Sequence, residues 1–163
     1  MIVIKEADIS YVPKIVDLWV EFMAEHDKII IDADPKLKDF EIKEKGMGPI
    51  YEKFLRLNFE SKKGTVFIAE ADKALVGYIL VFIKDEIPIY ENKKVGYVSD
   101  LYVKEQFRHK GISSELMNKA IGWFKQKKLK VAAIPLYAAN KHAYSIYKKY
   151  GFMDYRLEMR RKV

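Results

Sequence analysis

The sequence predicts an α/β fold in which a mixed sheet carries helices on its faces. Three observations lead to this prediction. The chain opens with a short apolar run followed by a segment of helical periodicity. Two runs rich in β-branched and aromatic residues lie in the middle, separated by a short turn, and the rest of the chain alternates strand-like and helix-like segments. Helices before and after a central hairpin are typical of a sheet covered on both sides.

In the first part of the chain, a strand at Met1–Ile4 precedes an amphipathic helix. The apolar residues of this helix recur at i, i+3, i+4 and i+7: Ile15, Leu18, Trp19 and Phe22. From Asp27 to Pro49, glycines and prolines interrupt a charged segment, which we interpret as a variable insertion (residues 27–49). A second helix is predicted at Ile50–Glu60, where helical periodicity resumes.

The central hairpin is predicted from two runs rich in Val, Ile, Phe and Tyr. These are Thr65–Glu70 and Ala74–Lys84, and a three-residue turn beginning at Ala71 joins them. The remaining predicted elements are a strand at Val95–Val103, a helix at Gly111–Lys127, a strand at Lys130–Leu136, a helix at Asn140–Tyr150 and a last strand at Phe152–Arg160. No linker divides them, so a single domain is predicted for residues 1–163.

The composition limits the possible classes of function. The net charge of +7 favours anionic partners, although lysines and glutamates are intermixed along the chain. The absence of cysteine excludes a disulfide framework, a thiolate metal site and an acyl-cysteine intermediate. No apolar run approaches the roughly 18 residues needed to cross a bilayer, and none at the start has the length of a signal peptide. We therefore expect a cytoplasmic protein with no metal and no membrane partner.

A basic turn connects the predicted strand Val95–Val103 to the helix that follows it. It reads Arg108-His109-Lys110-Gly111-Ile112-Ser113. At the start of a helix several N–H groups lack an intrahelical acceptor and the helix dipole is positive, so anions bind there. The turn has neither the Walker A spacing nor the GxGxxG of dinucleotide folds. From the residues alone it is either a phosphate site or a solvated basic turn.

The chain resembles the GNAT superfamily of N-acetyltransferases over nearly its whole length. Val98–Val103 running into Arg108–Ser113 is similar to the family's acetyl-CoA motif, R/Q-x-x-G-x-G/A after a strand. A second match is the family's later pattern of an Asn, an Ala three residues on, a Tyr four further and a closing Gly-Phe: Asn140, Ala143, Tyr147, Gly151 and Phe152. The sequence departs from the first pattern at Ser113, where Gly or Ala is usual, and at His109, often Gly. His109 alone is more typical of a surface residue than of a catalytic base.

The resemblance implies a mostly antiparallel sheet of six to seven strands splayed into a V, with about four helices on its faces. It also implies acetyl-CoA as cosubstrate. The diphosphate is expected on the amides of the basic turn, and the pantetheine arm beside the strand end. The implied cofactor-binding residues are Leu101, Tyr102, Val103, Arg108, His109, Lys110, Gly111, Ile112, Ser113, Asn140 and Tyr147. Pro135 has no N–H to donate to a neighbouring strand, so strand pairing is expected to stop there and the sheet to open at this point.

Three residues are candidates for the chemistry. The resemblance makes Tyr147 the general acid, while its helical position is also compatible with a core tyrosine. Asn140 has a second interpretation as the N-cap of its helix. The family's carboxylate base is expected near Tyr97 or Ser99, but neither is acidic. Asp100 is the nearest carboxylate, although strand alternation directs it to the face opposite Ser99. Ser99 or Tyr97 would alternatively hold a water that removes the proton.

These observations predict direct transfer of an acetyl group to a primary amine in a ternary complex. The acceptor is a small molecule or a peptide, and Trp19, Phe22, residues 27–49 and the loop Asp85–Lys94 are expected to line its site. Acidic residues there favour a cationic amine. Two alternatives stay open, a CoA-binding module without catalysis and a basic nucleic-acid-binding domain, although no nucleic acid is expected. The resemblance also favours a homodimer.

Overall fold

Five strands form one sheet in the computed structural model, which describes all 163 residues. The strands lie in chain order: β1 Ile2–Glu6, β2 Gly64–Ala71, β3 Ala74–Asp85, β4 Lys94–Val103 and β5 Ala132–Ala133. The pairs from β1 to β4 are antiparallel, and only β4 and β5 run parallel. The prediction of a mixed, mostly antiparallel sheet is therefore confirmed, but six to seven strands was too many.

Four α-helices surround the sheet. They are α1 Val12–Ala33, α2 Met47–Ser61, α3 Ile112–Gln126 and α4 Lys141–Lys149. No helix is both long enough and apolar enough to cross a membrane. The predicted helices are confirmed, but α1 is longer than expected. It continues to Ala33, and a 3-10 helix occupies Pro35–Phe40, so much of the proposed insertion 27–49 is helical.

The two faces of the sheet have separate apolar cores. On one face α3 packs through Leu116, Ala120 and Phe124. On the other face α1 packs through Ile15 and Leu18, and α2 through Leu55. These residues follow the 3.6-residue periodicity from which the helices were predicted.

Helix α3 lies very close to β4 at Gly96. A Cβ atom on Gly96 would come within 2.5 Å of the Phe124 ring. Glycine therefore permits the phenyl ring to lie directly on the strand, which fixes the position of α3 relative to β4. The last two residues of the basic turn, Ile112 and Ser113, form the start of α3, so this contact also fixes the position of the turn.

Two predicted strands differ from the structure. Only Ala132 and Ala133 of Lys130–Leu136 pair with β4, and Pro135, without an N–H, lies two residues after Ala133. Residues 152–163 form no strand, so the prediction of Phe152–Arg160 was wrong. Their alternating apolar side chains point into solvent, Met153 and Leu157 being 85% and 78% exposed. An alternating pattern gives a strand only where a neighbouring strand is long enough to pair with it, and β5 has two residues.

Candidate active site

The sheet opens at the end of β4. Parallel pairing with β5 covers only Gly96 with Ala132 and Tyr97 with Ala133. From Val98 to Val103, the edge of β4 that faces β5 therefore has no strand partner, whereas its other edge stays paired with β3. The predicted opening beside Leu101–Val103 is present, and its free backbone groups are available to another extended chain.

The basic turn presents a row of unpaired amides. The N–H of Arg108 donates to Glu105, and the N–H of Glu115 donates to Gly111. Between them, the six N–H groups of residues 109–114 donate to no acceptor in the chain. Gly111 has a φ of +79° and His109 a φ of +61°, both left-handed. Left-handed residues among consecutive unpaired amides at the start of a helix are typical of anion-binding turns.

Arg108 itself is already engaged by the protein. Its Nε donates to the carbonyl of Val103 at 2.8 Å, and a terminal nitrogen donates to Glu25 of α1 at 2.5 Å. Glu25 also accepts a hydrogen bond from the Tyr102 hydroxyl, and the guanidinium lies over the Tyr102 ring, 5.7 Å from its centre. Arg108 therefore fixes the end of β4 against α1, and its charge is partly neutralised. The free charge of the turn comes mainly from Lys110, whose Nζ lies over Phe107.

A β-bulge in β4 decides where Asp100 points. The β3–β4 pairing shifts by one residue between Leu80 and Val81, and Ser99 is left without a partner opposite. A bulge interrupts strand alternation. Val98 consequently packs on the α3 side, while Asp100 and Tyr102 lie on the α1/α2 side with Tyr97. Asp100 therefore lies on the same side of the sheet as Tyr97, although simple alternation would put residues three positions apart on opposite sides.

Asp100 is a buried carboxylate held by tyrosines. It is 9% exposed, and the Tyr51 hydroxyl donates to its Oδ2 at 2.5 Å. The Ser99 hydroxyl is a weaker donor at 3.5 Å. Burial raises the pKa of Asp100 to about 6, while the bond from Tyr51 acts in the opposite direction. A carboxylate with this pKa is ionised at neutral pH and is a better proton acceptor than an ordinary aspartate.

Two tyrosines of this cluster were not identified from the sequence. Tyr51 follows the apolar pattern of α2, and Tyr78 lies within the apolar run of β3, so both resembled core residues. The Tyr78 side chain is fully buried, and its hydroxyl has no hydrogen-bond partner. A buried hydroxyl normally has one. Two tyrosines at otherwise aliphatic core positions were the available signal that a polar group lay between them.

Tyr147 lies in α4 and packs against the core on the α3 side. Its ring contacts Phe152 edge to face, with 6.2 Å between centres. Burial raises the pKa of Tyr147 to about 12, and the negative charge of Asp100 adds to this effect. The phenol is therefore protonated at neutral pH and able to donate. The ring is part of the core, and the role of the hydroxyl as general acid stays a prediction.

Asn140 is the N-cap of α4. Its side chain accepts a hydrogen bond from the Ala143 N–H at 3.0 Å.

On the other side of the sheet, Trp19 stacks on Tyr51 with 4.0 Å between ring centres, and Phe22 packs against Tyr102. Trp19 therefore contacts the tyrosine that donates to Asp100, whereas Phe22 contacts the tyrosine that donates to Glu25. The loop Asp85–Lys94 lies at the opposite end of β4 from the basic turn.

Comparison with known proteins identifies the family. Residues 29–152 match the Acetyltransferase (GNAT) family. The chain belongs to the GNAT acetyltransferases. An uncharacterized N-acetyltransferase of Archaeoglobus fulgidus is 34% identical to this GNAT protein over 85 residues, which are 52% of the chain and 57% of the relative. The chain therefore spans little more than half the length of that relative.

Solved structures show the same fold at low identity. A predicted acetyltransferase of Clostridium acetobutylicum, crystallised with acetyl-CoA, superposes with a TM-score of 0.74 at 19% identity, covering 98% of this chain and 96% of that one. AAC(6')-Iy, in complex with the bisubstrate analogue CoA-S-monomethyl-acetylneamine, gives a TM-score of 0.71 at 16% identity, covering 100% and 99%. In this GNAT protein no group of three or more His, Cys, Asp or Glu side chains is arranged to hold a metal ion.

Proposed function

We propose that this GNAT protein transfers the acetyl group of acetyl-CoA to a primary amine by direct attack, with both substrates bound together. The observation that carries the proposal is the row of unpaired amides at residues 109–114 beside the open edge of β4. A diphosphate suits such a row because several N–H groups and the dipole of α3 act on it together. The presence of acetyl-CoA in the Clostridium protein supports the same donor.

The proposed binding residues follow the chain from the turn to α4. The amides of His109, Lys110, Gly111, Ile112 and Ser113 hold the diphosphate, and the Ser113 hydroxyl is a further donor. The free edge at Leu101–Val103 pairs with the amides of the pantetheine arm. Arg108 supports this surface from behind through Val103, and Asn140 orients α4, which carries Tyr147.

The proposed chemistry needs one proton acceptor and one proton donor. Acetyl-CoA supplies the acetyl group as a thioester, and a C–N bond to the amine replaces its C–S bond. Asp100 takes the proton that the amine loses, directly or through a water held by Ser99. Tyr147 gives its proton to the departing sulfur and regains one from solvent. An unpaired N–H of β4 would donate to the acetyl oxygen.

Two measurements test this function. Calorimetry with CoA measures the donor site, and release of free CoA across polyamines, aminoglycosides, amino acids and peptide N-termini measures transfer. The Tyr147→Phe variant should bind CoA normally and lose about 10²- to 10⁴-fold in turnover, the usual contribution of a general acid. Tyr144→Phe is the matched control, because Tyr144 lies on the same helix, exposed, and donates to Asp154 instead.

The outcomes separate the alternatives. No heat with CoA would refute the donor site and the proposal with it. Binding of CoA without thiol release for any amine would identify a binding module without catalysis. Unchanged turnover in Tyr147→Phe would remove Tyr147 from the mechanism and leave the transfer itself in place.

A further inference from the structure

An open apolar cavity lies on the side of Asp100 that faces α1 and α2. Its volume is about 420 Å³, within the range of small-molecule sites. Six of the eight residues that line it are apolar: Trp19, Ile42, Met47, Ile50, Tyr51 and Phe54. Several of them are unusually exposed for apolar residues, Ile42 being 78% and Ile50 57% exposed. Such an exposed apolar surface is typical of a ligand site.

Tyr51 connects this cavity to the proposed reaction site. Its ring lines the cavity, and its hydroxyl donates to Asp100. Asp100 does not itself line the cavity, so the Tyr51 side chain lies between the cavity and the proposed proton acceptor.

Three of the eight residues that line the cavity are aromatic. The Trp19 and Tyr51 rings are stacked, with 7° between their planes, and the Phe54 ring is tilted against Tyr51 at 5.9 Å. Met47 adds a flexible thioether, which makes favourable contacts with aromatic rings. A flat aromatic group is the ligand that such walls accommodate best, by stacked or edge-to-face packing.

The polar groups of the cavity favour a single positive charge. Lys43 forms ion pairs with Asp27 at 2.7 Å and with Glu41 at 3.3 Å, so its charge is neutralised. Glu44 forms no ion pair and leaves a negative charge at the rim. Only these two lining residues are polar. A ligand with many hydroxyl or amino groups would bury several of them without partners, at a considerable cost in binding free energy.

We infer that the acceptor is a small primary amine attached to an aromatic ring, an arylalkylamine, whose ring occupies this cavity while its nitrogen lies toward Asp100. The inference rests on the proposed acetyl transfer and names its substrate class. The reaction is unchanged: the C–N bond forms, the C–S bond breaks, the amine proton goes to Asp100 and the thiolate takes the proton of Tyr147.

The first test measures transfer. With 2-phenylethylamine as acceptor we expect kcat/KM to exceed that for 1,4-diaminobutane by about 10- to 100-fold, the effect of burying one aromatic side chain. Phe54→Ala should remove most of this preference and leave the KM for acetyl-CoA unchanged. Leu57→Ala is the matched control, because Leu57 lies on α2 outside this cavity and is 54% exposed. If Phe54→Ala does not fold, Ile50→Ala replaces it, since Ile50 is exposed.

The second test measures binding without chemistry. The chain has two tryptophans, so a Trp123→Phe variant leaves Trp19 as the only indole. Titration with 2-phenylethylamine should change its fluorescence saturably, and titration with 1,4-diaminobutane should not.

The two tests distinguish a failure of this inference from a failure of the proposed function. Transfer to 1,4-diaminobutane as fast as to 2-phenylethylamine would overturn the inference and leave acetyl transfer intact. An unchanged preference in Phe54→Ala would also overturn it. Saturable binding of 2-phenylethylamine with no CoA release from any amine would support the aromatic site and refute the acetyl transfer.

Discussion

Tyr51→Phe tests whether Asp100 is the proton acceptor. The substitution removes one oxygen from a side chain that otherwise stays packed against Trp19. Asp100 then loses its shortest hydrogen bond, because the Ser99 hydroxyl is 3.5 Å away. That bond favours the ionised carboxylate, so its loss must raise the pKa of Asp100 above its present value of about 6.

The size of the shift follows from the strength of the bond. A hydrogen bond to a charged group contributes about 1.5–3 kcal/mol, and one pKa unit corresponds to about 1.4 kcal/mol. The pKa of Asp100 should therefore rise by about one to two units. At pH 7 its ionised fraction would fall from about nine-tenths to between about one half and one tenth.

The assay is the pH dependence of kcat/KM for CoA release, compared between the variant and the wild-type chain. Ionisation of the free amine contributes equally to both profiles, so only their difference reports on Asp100. We expect the acid limb of Tyr51→Phe to lie one to two pH units higher. Tyr144→Phe removes an exposed hydroxyl that donates to Asp154 at 2.9 Å and should leave the limb in place. A limb that does not move in folded Tyr51→Phe would refute Asp100 as the base.

Three further predictions concern stability and cofactor binding. Burial raises the pKa of Asp100 from 3.8 to about 6, so the native state binds this proton more tightly than the unfolded chain does, and this stability is lost as the pH rises from 4 to 6. In urea unfolding, the stability of Asp100→Asn relative to wild type should therefore increase by about 2 kcal/mol between pH 4 and pH 7. At Gly111 a Cβ would meet no atom within 4 Å, so Gly111→Ala should cost only about 1–2 kcal/mol of backbone strain. The variant should also bind CoA more weakly in calorimetry, and an unchanged affinity would argue against the turn as the diphosphate site. Gly96→Ala should lower the free energy of unfolding by about 1–3 kcal/mol through overlap with Phe124, and Phe124→Leu in the same chain should restore part of it.

Local features of the fold and the site could be predicted from the sequence. The periodicity of α3 identified its buried residues, and Asn140 was recognised as an N-cap from its place before a helix. The basic turn was found because helix starts leave amides unpaired whatever the rest of the fold does. Each of these depends on residues a few positions apart, and the physics that determines them is local.

Features that depend on distant residues could not be predicted. Asp100 and Tyr51 are 49 residues apart, and Arg108 and Glu25 are 83 apart, so nothing in either neighbourhood indicates its partner. The bulge at Ser99 is a property of the pairing between β3 and β4 rather than of β4 alone. The segment Phe152–Arg160 has the alternation of a strand, but pairing requires a neighbour, and that neighbour is too short.

Helix α1 joins the two ends of the proposed site. Trp19 lines the proposed acceptor cavity, and Glu25 binds Arg108 of the basic turn. The two residues are about 9 Å apart along the helix axis. Both substrates would therefore bind against α1, and a displacement of α1 would change both binding sites. The affinity for the amine is then expected to depend on whether CoA is bound, and the reverse must hold to the same degree.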